Sequence, residues 1–175
     1  MTISIENLKA AIRDIPDFPK PGIIFKDITT LLNKKDLLKF TVEQLVNEFQ
    51  SNKIDYVVGM ESRGFIFGVP ASLFLGAGFV PIRKPGKLPS KTVSETYQLE
   101  YGTDTLEIHD DAFPSGSNIL LVDDLLATGG TAEASAKLVE KLGGKITGIA
   151  FVIELAFLKG RDKLKNYNVK SLIQY

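Results

Sequence analysis

The chain predicts an α/β fold in which a parallel sheet of about five strands is flanked by helices on both faces. Three observations carry this. Short apolar runs without polar alternation recur along the chain, as buried parallel strands require. Helical repeats lie between them, and one segment departs from both patterns by strict alternation.

Taken in order, Ile5, Leu8, Ile12 and Ile15 recur at helical spacing after Ser4, which predicts an amphipathic helix ending by Pro16. Pro16, Pro19 and Pro21 then stiffen an extended loop that leads into Ile23, Ile24 and Phe25. A second helix starts near Asp36 and shows Leu38, Val42, Leu45 and Phe49 on one face. Ile54 to Met60 reads as a buried strand, Phe65 to Leu75 as a helix and Phe79 to Arg83 as another strand. Asn118 to Asp123 and Ile146 to Glu154 repeat the strand pattern around a helix from Thr131 to Leu142, which Gly143 and Gly144 end. Between them, Tyr97, Leu99 and Tyr101 alternate with polar residues, Gly102 to Asp104 turn, and Leu106 and Ile108 resume the alternation. Val93 to His109 is therefore an antiparallel hairpin with too few apolar residues for a core of its own, expected to act as a mobile flap.

Bulk properties exclude several functions. The 175 residues, 44% apolar and 24% charged, fit one soluble domain spanning residues 1–175. Lysine plus arginine equals aspartate plus glutamate at 21 each, so net charge gives no reason to expect a nucleic-acid partner. The absence of cysteine removes thiolate chemistry and Cys-based zinc sites, and the single His109, expected at the surface, cannot build a histidine metal site. A metal here must be held by oxygens, which points to magnesium carried by substrate phosphates. Gly64 to Ile82 carries no charge and is long enough to span a bilayer, but its four glycines and two prolines divide it into a helix, a turn and a strand. Glu6, Lys9 and Arg13 break any secretory apolar run at the start, so a cytoplasmic protein with no membrane partner is expected.

The chemistry concentrates in Ile119 to Ala132. An apolar strand delivers Asp123 and Asp124 to its carboxyl end, and Ala127, Thr128, Gly129, Gly130 and Thr131 follow at a helix start. Small residues there let backbone N–H groups approach an anion where the helix dipole is positive. The carboxylates cannot also face that anion favourably, so their partners are hydroxyl donors such as those of a ribose. The unit reads as a ribose 5-phosphate cradle; read blandly, it is a turn with solvated aspartates. Neither a Walker loop nor G-x-G-x-x-G occurs.

A second strand end carries Glu61, Ser62, Arg63 and Gly64, where Arg63 could fork onto a phosphate; the alternative is a helix start with Arg63 paired to Glu61. A third carries Arg83, Lys84 and Lys87, positioned to approach the same anion unless they form only a solvated basic turn.

The segment V-D-D-L-L-A-T-G-G-T resembles the phosphoribosyl pyrophosphate (PRPP) signature of type I phosphoribosyltransferases. F-P-x-P-G-I-I-F-K-D-I from Phe18, G-M-E-S-R-G-F from Gly59, I-R-K-x-G-K-L-P from Ile82 and L-E-Y-G from Leu99 are similar to the adenine-specific members in particular. The resemblance implies the type I fold, with an N-terminal hood over residues 1–35 and a flap over 84–109. It implies adenine and PRPP as substrates, AMP and pyrophosphate as products in purine salvage, magnesium bound through PRPP with no direct protein ligand, and a homodimer. By the same resemblance Ala127 to Thr131 hold the 5-phosphate and Asp123 and Asp124 the ribose. Glu61, Ser62, Arg63 and Gly64 hold pyrophosphate with Arg83, Lys84 and Lys87. Ile24, Phe25 and Lys26 read adenine, with Phe25 stacking on it, and Glu100 and Tyr101 join Arg63 as catalytic groups. Without the resemblance, Phe25 would read as a core aromatic and Glu100 as a solubilising charge. Enzymes for hypoxanthine and guanine carry an aspartate where Ala127 stands, so proton transfer at the purine falls to Glu100. The alternatives are an enzyme for another base, xanthine first, or a non-catalytic PRPP-sensing regulator, for whose DNA-binding domain the chain leaves no room.

Overall fold

The computed structural model describes residues 3–98 and 102–175, and the chain divides into two compact units, Met1–Gln44 and Leu45–Tyr175. The first unit holds helix α1 (Ile5–Ala11), strands β1 (Arg13–Pro16) and β2 (Ile24–Asp27), the short helix α2 (Thr29–Leu32) and most of α3 (Lys35–Asn47). The opening helix stops short of Ile15. From Arg13 onward the backbone pairs antiparallel with β2, Arg13 opposite Asp27 and Ile15 opposite Phe25. Ion pairs of 2.5 Å (Arg13 to Asp27) and 2.7 Å (Lys26 to Asp14) cross the hairpin, and this cross-strand pairing overrides the helical spacing of Ile12 and Ile15.

The second unit contains β3 (Tyr56–Met60), α4 (Gly64–Leu75), β4 (Gly78–Ile82), β5 (Thr92–Gln98), β6 (Thr103–His109), β7 (Asn118–Leu126), α5 (Gly130–Lys141), β8 (Lys145–Glu154), two 3-10 turns (Ala156–Leu158 and Gly160–Leu164) and β9 (Val169–Gln174). Five strands form one parallel sheet in the order β4-β3-β7-β8-β9. Alternate residues serve its two faces. Gly59 on β3 looks toward α4, and the rings of Phe65 on α4 and Phe79 on β4 lie within about 3 Å of the space a Cβ would fill. Val58, Met60, Leu121 and Phe151 face the other way, into a core shared with Leu138 and Val139 of α5. Ile119 to Val122 are fully buried, so truncation of Leu121 to alanine is expected to cost about 2–5 kcal/mol.

The hairpin of β5 and β6 lacks a core of its own but borrows this one. Leu106 and Ile108 are buried in it, and Arg83 and Glu107 exchange backbone hydrogen bonds of 2.9 and 2.7 Å that join β6 to the end of β4. Lys141 of α5 pairs with Glu95 at 2.5 Å. The base of the flap is thus packed against the sheet and α5. His109, at its end, is half-buried, with Nε2 enclosed and without a hydrogen-bond partner among the described residues, where a surface position was expected. The uncharged run from Gly64 is divided between α4 and β4, and among the described residues no helix is long and apolar enough to cross a membrane.

Candidate active site

The chain runs from β3 outward to β4 and returns to the other side of β3 as β7, so the sheet reverses its winding between β3 and β7. Ligand sites of open α/β sheets form at such a reversal, beyond the carboxyl ends of the strands. Gly59 pairs in register with Val122, which sets Glu61 to Gly64 beside Asp123 and Asp124.

The loop after β7 is a neutral cradle. Gly129 takes φ +80° as it leads into α5, whose first N–H groups have no intrahelical acceptor. Leu126, Ala127 to Thr131 and Phe151 help enclose a cavity of about 70 Å³, whose lining has, among the described residues, no lysine or arginine and one acid, Asp123 at its edge with β7. Its shape is enforced from behind by Gly160. A Cβ on Gly160 would lie 2.2 Å from the Ala127 carbonyl oxygen and 2.9 Å from the Gly129 nitrogen, and one on Gly129 would lie 2.4 Å from the Gly160 oxygen. Two backbones meet here with no room for side chains.

Asp123 and Asp124 are 9% and 4% exposed. The sequence reading ends the strand at Asp123, but both aspartates lie inside it, because β7 continues pairing with β8 as far as Leu126 opposite Glu154. Burial pushes the Asp123 carboxyl well above the usual carboxylate range, and the charge of Asp124 pushes it the same way. Burial also raises Asp124, against the opposing effect of Arg63. Arg63 Nε stands 2.9 Å from Asp124 Oδ2, an ion pair without hydrogen-bond alignment. Two carboxylates facing one guanidinium favour partners that donate hydrogen bonds, which vicinal hydroxyls do.

The sequence offered Glu61 as the partner of Arg63, but Glu61 turns to the basic loop instead. Its Oε1 accepts Lys87 Nζ at 2.6 Å, and Oε2 accepts the Lys84 backbone N–H at 2.6 Å and Arg83 Nε at 3.2 Å. Burial works against its charge, yet these three donors outweigh it and hold the carboxyl at about 2. Lys84 Nζ reaches Asp104 on β6 at 2.6 Å. The Glu61 to Ser62 peptide is cis, and Gly64 opens α4 so close to β7 that a Cβ would lie 2.8 Å from the Val122 carbonyl oxygen.

The residues expected around a sugar diphosphate, Asp123, Asp124, Ala127 to Thr131, Glu61 to Gly64, Arg83, Lys84 and Lys87, thus come from neighbouring strand ends and their loops. In the first unit, Ile24 is exposed, Phe25 is half-buried edge-on against Phe18 with ring centroids 5.3 Å apart, and Lys26 holds Asp14. Glu100 and Tyr101 lie outside the described residues. Sequence reasoning passed over Tyr97, whose hydroxyl is 3.1 Å from Thr131 Oγ1, and Asp104. The alternation of the hairpin put Tyr97 on its apolar face, where the hydroxyl was the available signal. The carboxylates of Asp123 and Asp124 are oxygen donors of the kind a magnesium ion takes, and no cluster of three metal-binding side chains occurs among the described residues.

Comparison with known proteins places the chain in a family. Residues 26–174 match the phosphoribosyl transferase domain family. An adenine phosphoribosyltransferase of Acaryochloris marina is 57% identical over 97% of this chain and 99% of its own length. The solved adenine phosphoribosyltransferase of Rhodothermus marinus is 53% identical, covers 98% of each chain and superposes with a TM-score of 0.94. That of Saccharomyces cerevisiae, solved with an imino-altritol bisphosphate and adenine, is 46% identical over 96% of this chain and 97% of its own, with a TM-score of 0.91. The chain belongs to the phosphoribosyltransferase family, and within it to the adenine phosphoribosyltransferases.

Proposed function

We propose that this chain transfers the 5-phosphoribosyl group of PRPP to adenine, releasing pyrophosphate and forming AMP. The observation that carries the reading is the meeting, at one sheet reversal, of a neutral N–H cradle, a buried carboxylate pair and a basic loop. Ala127 to Thr131 hold the 5-phosphate, and Asp123 and Asp124 accept hydrogen bonds from the ribose hydroxyls. Arg63, Arg83, Lys84 and Lys87 stabilise the charge that gathers on pyrophosphate as the C1′–O bond breaks and an adenine ring nitrogen bonds to C1′. Magnesium, arriving with PRPP, neutralises part of that charge. Ile24, Phe25 and Lys26 take the base, and Glu100 and Tyr101 serve proton transfer and closure, in line with the sequence resemblance.

A cytoplasmic reaction is part of the same reading. The acting form is a homodimer. In support, Ile66, Val69, Leu73 and Phe74 of α4 are 40%, 43%, 77% and 52% exposed and form one apolar stripe at helical spacing, a surface that a second copy would cover. Leu73→Glu is expected to yield monomers in sedimentation equilibrium.

A panel of bases with PRPP and magnesium, monitored by pyrophosphate release, tests the activity. Turnover with adenine is expected; turnover confined to hypoxanthine, guanine, xanthine or orotate would refute it. Glu100→Gln is expected to lower kcat while PRPP binding survives.

A further inference from the structure

Tyr97 has one hydroxyl proton and two polar neighbours. Asp104 Oδ2 at 3.4 Å can only accept it, whereas Thr131 Oγ1 at 3.1 Å can accept or donate. The Tyr97 ring lies over Gly130, 2.9 Å from where a Cβ would stand, so the flap strand β5 is seated on the first turn of α5. Burial raises the Tyr97 pKa, which keeps the phenol protonated.

These contacts allow two arrangements. If Tyr97 donates to Asp104, its oxygen accepts the Thr131 proton, and Thr131 has none left for a phosphate oxygen. If Tyr97 donates to Thr131, the Thr131 proton is free to point into the cradle. The second arrangement leaves Asp104 well supplied, because Lys84 Nζ at 2.6 Å and the Thr105 N–H at 2.9 Å remain bonded to that carboxylate.

We infer that Tyr97 is a positioning residue for the substrate phosphate: it turns its proton from Asp104 to Thr131 when a phosphate monoester enters the loop, so that Thr131 donates to the ligand. The inference rests on the ribose phosphate reading of that loop. It also gives the flap a direct stake in occupancy of the cradle, since the group that switches belongs to β5 and the group that binds belongs to α5.

A double-mutant cycle on the intact protein tests this, with ribose 5-phosphate as titrant in calorimetry. Tyr97→Phe is expected to weaken binding roughly 3- to 10-fold, the size of one hydrogen bond, and Thr131→Val by at least as much. The double variant should bind no more weakly than Thr131→Val alone. In a Thr131→Ser background, which keeps the hydroxyl, the Tyr97→Phe loss should return. A Tyr97→Phe loss that persists in full beside Thr131→Val, or no loss at all, would overturn the assignment while leaving the cradle intact. Failure of the unsubstituted protein to bind ribose 5-phosphate would overturn the cradle reading and this one together.

Discussion

The neutral loop and the basic loops to which we assign the two ends of the sugar diphosphate differ in how they are built. The loop after β7 has no cation in its lining among the described residues and is shaped by backbone pressed against backbone at Gly129 and Gly160. The loop after β3, with Arg63, and the basic loop after β4, with Arg83, Lys84 and Lys87, work together, each cation paired to a carboxylate: Asp124, Glu61, Asp104 and Glu61 respectively. On the proposed reaction the difference has a reason. The 5-phosphate keeps its charge and place from substrate to product, so fixed dipoles suit it and need no rearrangement. Pyrophosphate gains charge as it leaves, and side chains that can trade one anion for another follow that change.

The rigid side of the comparison can be broken most drastically. Gly160→Ala puts a methyl group 2.2 Å from the Ala127 oxygen, and neither backbone can yield without moving the loop. Ribose 5-phosphate affinity is expected to fall on the order of 10²-fold, as misplacement by an ångström can cause, with a melting temperature lower by several degrees. Near-normal affinity in calorimetry would mean that the cradle adapts and that the contrast is wrong. The adaptable side should respond less and selectively. Lys87→Met should weaken inhibition by pyrophosphate about tenfold and leave ribose 5-phosphate binding unchanged, since the loss is one charge-assisted contact. Equal losses for both ligands would merge the two loops into one site.

The smallest effect concerns acid. The Glu61 carboxyl sits near 2 in the folded chain against an ordinary 4.5, so its pairing stabilises the fold in full above pH 4.5. That contribution drains away as pH falls through about 2. With Arg83 and Lys87 partly exposed, about 1 kcal/mol is expected, measurable as a smaller pH 7 to pH 3 loss in urea unfolding for Glu61→Gln than for the parent. An identical acid limb would show that Glu61 contributes no net stability through its cations.

The same contrast separates what was legible in the sequence from what was not. The strand, glycine turn and helix of the neutral loop are local, so the apolar run and the small residues nearly sufficed. The one local error, ending β7 at Asp123, arose because paired aspartates read as a strand end, whereas pairing with β8 carries the strand to Leu126. The last strand escaped individual notice because V-K-S-L-I-Q is short and mixed in polarity, and it is β8 that makes it a strand. Charge partners were illegible for a different reason. Arg63 sits two residues from Glu61 yet pairs with Asp124, because the strand order, invisible in a list of residues, sets β3 against β7. Tyr97 was seen only as an apolar alternation, since its partner lies on another element.

The contact between Gly160 and the loop at Ala127 and Gly129 bears on how the protein comes into being. During synthesis the signature segment is complete once Thr131 has been added, yet its back wall is made nearly thirty residues later, and the sheet edge at β9 later still. A nascent chain holding only the signature has the letters of the cradle without its shape. Affinity for a sugar phosphate should therefore arise late and abruptly as the chain lengthens, as a property of the finished fold rather than of its parts.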